Sequence, residues 1–166
     1  MRLCLDTGPL LDVVAAKFID QSRGFHDAAA ALAQLEQRIS YVNSTIVAER
    51  FEQLLARAHV LTTHYVLAEL DAHAEQCLRR RGSWLERFRM HYVEELVRLR
   101  VDDSPVRLAL LRPDLIRRFG VVDASVIAAA DQDHATLVTS DSPLLNACRG
   151  FGVDVIHTSA APTLGA

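Results

Sequence analysis

Four carboxylates sit where a chain of alternating strands and helices would gather them. Asp6 follows the short run Arg2-Leu3-Cys4-Leu5, and Glu69 lies in the first turns after Val60-Leu61-Thr62-Thr63. Asp123 falls in the first turn of an apolar stretch that begins at Val121, and Asp141 comes two residues after Thr136-Leu137-Val138-Thr139. In a parallel sheet the carboxyl ends of all strands share one edge, and ligand sites form there. Carboxylates crowded together push one another's pKa up and oppose folding of the ionised form. A hard divalent cation such as Mg²⁺ or Mn²⁺, which prefers oxygen ligands, reverses that sign. In phosphodiester hydrolysis such an ion lowers the pKa of a bound water and stabilises charge on the phosphate and leaving oxygens. Four acids suit one or two ions, and the spacing leaves the number open. Singly, Asp6, Asp123 and Asp141 are also acceptable helix caps. Glu69 is different, because it interrupts the apolar run Val66-Leu67-Ala68-Glu69-Leu70 and a buried unpartnered Glu is expensive. Of the remaining acids, Asp12 is expected to face solvent, Asp131 and Asp133 to end a helix away from the edge, and Asp102 and Asp103 to start one.

The elements that must position these acids follow from periodicity and breakers. Strands are expected at residues 2–5, 60–63, 136–139 and 153–156, with a further one near 96–101. Helices are expected at 10–16, 25–39, 44–58, 64–80 and 83–95, then on either side of Gly120, and at 142–149. Short, continuously apolar strands alternating with helices predict an α/β fold, with a central parallel sheet of four to five strands covered on both faces. No repeat or composition shift marks a second domain, so residues 1–158 read as one unit and 159–166 as a flexible tail.

Composition narrows the setting. The chain has 166 residues, 50% hydrophobic and 23% charged, enough for one real core and unlike a disordered segment. No apolar run reaches the roughly 18 residues of a membrane span, and no signal-type apolar stretch follows Arg2. Cys4, Cys77 and Cys148 match no disulfide or zinc pattern and are expected as buried thiols of a cytoplasmic protein. The seven histidines form no HExxH pair. The net charge of −3 is unevenly spread: residues 79–118 hold eleven Arg against six acids, and the rest of the chain is acidic. That disfavours a general duplex-coating protein and leaves room for a phosphate-bearing ligand.

Leu5-Asp6-Thr7-Gly8-Pro9-Leu10-Leu11 resembles the first motif of the PIN-domain family, and Thr63-His64-Tyr65-Val66-Leu67-Ala68-Glu69-Leu70 the second. Val122-Asp123-Ala124-Ser125-Val126-Ile127-Ala128-Ala129-Ala130 is similar to the third motif and Leu137-Val138-Thr139-Ser140-Asp141 to the fourth. The resemblance covers residues 3–156. It implies a small three-layer PIN-like fold, a divalent-metal-dependent endoribonuclease acting on RNA, and frequent homodimers. Members of this size are often toxins of VapBC-type toxin–antitoxin pairs, silenced by a small antitoxin protein. On this resemblance Asp6 and Asp123 would be direct ligands of Mg²⁺ or Mn²⁺. Glu69 and Asp141 would be direct or water-mediated ligands, and the hydroxyls of Thr7 and Ser140 would orient carboxylates or waters. The helical segments at 17–58 and 79–100 are additions to the family pattern.

Arg79, Arg80, Arg81 and Arg87 could contact RNA phosphates, although Arg also favours helix C-termini. Trp84, Phe88 and Tyr92 recur every four residues, the spacing of a core stripe or dimer seam. A nucleic-acid or protein binding module with an inactive PIN-like metal site is the competing reading. A phosphoaspartyl enzyme fits worse: Gly8 stands where one such pattern needs a second Asp, and Lys17 is the only lysine.

Overall fold

A computed structural model of the chain describes residues 1–39, 45–106 and 111–160. Its strands are β1 (Arg2–Leu5), β2 (His59–Thr62), β3 (Asp102–Asp103), β4 (Thr136–Thr139) and β5 (Val155–His157). They form one sheet in the order β3-β2-β1-β4-β5, and every pairing is parallel. The helices among the described residues are α1 (Thr7–Ser22), α2 (Ala28–Glu36), α3 (Thr45–Arg57), α4 (His64–Leu78), α5 (Trp84–Arg98), α6 (Pro113–Gln132) and α7 (Ser142–Phe151). The chain steps one way from β1 to β3 and the other way from β4 to β5. Right-handed crossovers therefore put the helices between β1 and β3 on one face, and α6 and α7 on the other. Packing agrees: α1 meets α2, α4 and α5, whereas α6 meets β1, β4 and α7. The result is an α/β fold that fits a three-layer PIN-like arrangement.

The inner strands are apolar on both faces because both faces are covered: Leu3, Cys4 and Leu5 of β1 are fully buried, as are Leu137 and Val138 of β4. Helix α1 lies deep, burying Leu10, Leu11, Val13, Val14, Phe18 and Ile19. Phe18 meets Trp84 and Phe88 edge-on, with ring centroids 6.1 and 5.2 Å apart. The aromatic stripe of α5 is thus core at Trp84 and Phe88, with Tyr92 partly buried against it.

The structure corrects three local expectations. The strand expected near 96–101 is instead the end of α5. Trp84, Phe88, His91, Glu95 and Leu99 are buried at helical spacing, and the chain then reverses at Arg100 (φ 52°). Asp102 and Asp103, expected to begin a helix, form the short edge strand β3 beside Leu61 and Thr62. Asp12, expected in solvent, is 1% exposed, because α1 is enclosed on nearly every side. Residues 158–160 form a 3₁₀ turn, and the remainder of the expected tail, 161–166, lies outside the described residues.

Gly120 interrupts α6 with φ 88° and ψ 173°, a backbone region essentially closed to side-chain-bearing residues. This break starts a fresh helical run three residues before Asp123. Gly120→Ala is expected to cost about 1–2 kcal/mol of stability, read as a lower urea midpoint with an unchanged slope. An unchanged midpoint would mean that the kink relaxes freely.

Candidate metal centre

Each acid takes its place from a strand end or a helix start. Asp6 extends β1 by one residue, its N–H reaching Val138 O at 3.1 Å, and then caps α1. Its Oδ1 accepts from the Thr7 N–H and its Oδ2 from the Thr139 hydroxyl, both at 2.7 Å. Thr139 also accepts from the Asp141 N–H at 2.9 Å, so one hydroxyl fixes two of the acidic segments. Asp141 caps α7 through the Leu144 N–H at 2.9 Å. Glu69 lies in the second turn of α4, where its Oε2 accepts from the Thr7 hydroxyl. Asp123 is half-buried in α6.

A second set of hydroxyls joins α4 to α6. Thr63 caps α4 by accepting from the Val66 N–H, and its Oγ1 lies 2.8 Å from Ser125 Oγ. Ser125 donates to Val122 O at 2.6 Å, so Thr63 must be the donor between the two hydroxyls. Both side chains are fully buried, and they hold together the helix starts that carry Glu69 and Asp123.

The electrostatics are those of one shared edge. Burial pushes the Asp6 carboxyl up. The hydrogen bonds from Thr139 and Thr7 oppose this, and the charges of Glu69 and Asp141 add to it. Asp123 is raised from the ordinary 3.8 to about 7, first by burial and then by Asp6, Asp141 and Glu69. Burial, followed by Asp6 and Asp123, pushes the nearby Cys148 thiol up to about 11, which keeps it protonated. An all-oxygen donor set whose members raise one another's pKa suits a hard divalent cation better than a soft one. In the conformation described, no three Asp, Glu, His or Cys side chains among the described residues close on one point. Thr7 holds Glu69, and Thr139 with Thr7 holds Asp6, so a shared ion would require these side chains to turn inward.

All four predicted acids therefore reach the same edge, and Thr7 contacts Glu69 as well as Asp6. The Ser140 expectation is corrected: the hydroxyl bonded to Asp6 belongs to Thr139, one residue earlier, because Thr139 ends β4 facing Asp6. Ser140 Oγ instead abuts Gly8, where any Cβ would overlap it. The sequence reading missed Thr139, Thr63 and Ser125. Their signal was a hydroxyl residue at the end or in the middle of an otherwise apolar run. His64 and Tyr65 stack at the start of α4, with ring centroids 4.2 Å apart, close to this edge. The arginines are elsewhere. Arg79 lies ten residues beyond Glu69 on α4, about 15 Å along the axis, and Arg80 and Arg81 are exposed just past it. The Arg87 guanidinium lies over the Phe25 and Trp84 rings at 4.9 and 5.1 Å.

No family model and no curated protein matches the chain. A solved domain of a functionally unknown protein from Methanocaldococcus jannaschii DSM 2661 superposes with a TM-score of 0.50 at 16% identity. The match covers 94% of this chain and 89% of that one. The likeness is one of fold alone. No helix among the described residues is long and apolar enough to cross a membrane.

Proposed function

We propose that the protein is a divalent-metal-dependent endoribonuclease in which Asp6, Glu69, Asp123 and Asp141 hold Mg²⁺ or Mn²⁺. The observation that carries this reading is the assembly of four carboxylates, from four separate segments, on the carboxyl edge of a parallel sheet. Helix capping accounts for Asp6 and Asp141 individually, but not for Glu69 and Asp123 facing them. When bound, the cation supplies an activated water and stabilises negative charge on the phosphate. The protein's part is positional: Thr139 and Thr7 orient Asp6, and the Thr63–Ser125 pair sets the approach of Glu69 to Asp123. Motif order supports a toxin of a type II toxin–antitoxin pair, with RNA as substrate, a small antitoxin protein as partner and a homodimer as the working form, in the cytoplasm.

Cleavage of a mixed RNA pool tests the central claim. Wild type is expected to cut in Mn²⁺ or Mg²⁺ and not in EDTA, and Asp6→Asn is expected not to cut at all. A second reading, a binding module with an inactive metal site, draws on the outward turn of Glu69 toward Thr7. Folded wild type that binds RNA in EDTA and leaves it intact in Mn²⁺ would establish that reading instead. Expression that leaves growth unaffected, with cleavage intact, would remove the toxin assignment alone.

A further inference from the structure

Helix α5 is apolar on the side it shows to solvent. Its buried face contains His91 and Glu95, and Glu95 is matched there by Lys17 at 2.9 Å and Arg98 at 2.7 Å. On the opposite side Met90, Val93 and Val97 are 64%, 51% and 73% exposed. These three, together with Glu86 and Arg100 at the ends, are spaced four, three, four and three residues apart. That is the spacing of a helix–helix seam, not of a solvated face. At its N-terminal end the stripe runs into a groove between α5 and the end of α1, where Phe25 and Met90 supply apolar walls and Glu86 and Glu94 acidic rims. At its C-terminal end the stripe becomes a ridge, with Val97 at the crest and Arg100 beyond it.

We infer that this face pairs with the same face of a second copy of the chain, α5 against α5 in antiparallel, about a twofold axis near Val93. Groove and ridge lie on one helix, so a twofold rotation sets the Val97 ridge of each copy into the Phe25–Met90 groove of the other. The same rotation brings Arg100 of each copy to Glu86 of the other. A parallel pairing would instead put Glu86 on Glu86 and Arg100 on Arg100, which is repulsive. A twofold contact also closes on itself and leaves no sticky end. Arg100 supports the assignment from another side. It occupies the left-handed position after the helix, where Gly is the usual residue, and a strained side chain kept there points to a use for it.

Sedimentation equilibrium of the full chain tests the pairing, with the proposed metal chemistry playing no part. Wild type is expected at twice its 18.4 kDa chain mass at about 100 μM, where a micromolar dissociation constant gives mainly dimer. Val97→Asp is expected to weaken association by at least about tenfold while leaving the circular dichroism and melting temperature near wild type, since the side chain is exposed. Arg100→Gly is expected to weaken association while keeping or raising stability. Glu86→Arg and Arg100→Glu should each weaken it, and their combination should restore it. Monomeric wild type at that concentration would overturn the inference, and so would a dimer indifferent to Val97→Asp. Failure of the double variant to recover would overturn the antiparallel register.

Discussion

Asp123→Asn is expected to stabilise the metal-free protein at pH 8 and to abolish its metal-dependent RNA cleavage. In the folded protein the Asp123 carboxyl titrates near 7, whereas in the unfolded chain it titrates at its ordinary 3.8. The folded state therefore binds this proton more tightly. The stability this confers is present below about pH 4, declines as the pH rises, and is gone once the pH passes 7. At pH 8 the ionised group is half-buried among Asp6, Asp141 and Glu69, and its presence opposes folding. Asn removes the charge and keeps the shape, so the variant should melt higher than wild type at pH 8 and about equally at pH 4. Divalent metal should do for wild type what the substitution does for the variant. The rise in melting temperature on adding Mn²⁺ should be larger at pH 8 than at pH 5.5, because metal and proton compete for the same carboxylates. In Asp123→Asn that rise should largely vanish. Losing a ligand that helps a cation stabilise phosphate charge, a contribution of about 4 kcal/mol, corresponds to a rate loss of roughly 10³-fold. A variant that melts lower than wild type at pH 8 in EDTA would show that Asp123 is a structural acid. Melting curves in EDTA and in Mn²⁺ at three pH values, together with an RNA cleavage assay, settle both halves.

Thr139→Val should produce the largest loss of stability among single substitutions that keep side-chain volume at this edge. Its hydroxyl donates to Asp6 Oδ2 and accepts from the Asp141 N–H, and the side chain is fully buried. Valine fills the same space and leaves both partners unmatched. Hydrogen bonds to charged groups contribute about 1.5–3 kcal/mol, so a loss of about 2–3 kcal/mol is expected in urea unfolding at pH 8. The loss should be smaller at acid pH, where Asp6 is protonated and asks less of its donor. Mn²⁺ affinity should fall by about 10–100-fold, the usual effect of removing a partner that orients a ligand. Thr139→Ser should recover most of both. Equal losses at all pH values, with unchanged Mn²⁺ affinity, would assign Thr139 to packing alone.

The carboxylate edge was legible in the sequence because its parts obey local rules. Asp6, Asp123 and Asp141 stand at strand ends or helix starts, and Gly120 stops one helical run and starts the next whatever surrounds it. What escaped depended on tertiary enclosure. Asp12 occupies a helix position that looks solvated from its neighbours, and only the layering of α2, α4 and α5 around α1 buries it. Leu96, Leu99 and Val101 form an apolar run with the length and composition of a strand, yet the helical spacing that begins at Trp84 continues through them. The hydroxyl contacts of Thr139 and Ser125 join residues 133 and 62 positions apart in the chain, beyond the reach of any local pattern. The basic run at Arg79–Arg81 reads as a ligand-binding feature in one dimension, and the fold sets it at the opposite end of α4 from Glu69.

The order β3-β2-β1-β4-β5 also determines when in the life of the molecule the acidic edge can exist. Strand β1, made first, is completed on one side by β4, which leaves the ribosome more than 130 residues later. Until then Asp6 has neither its Thr139 donor nor its Asp141 neighbour, and the Asp123 helix has no β4 to pack on. Synthesis proceeds from the N-terminus at roughly 5–20 residues per second, so this interval lasts seconds. A nascent chain therefore carries an unassembled centre while it is still attached to the messenger and ribosomal RNA that a ribonuclease would attack. The late arrival of β4 acts as a built-in delay between synthesis and competence.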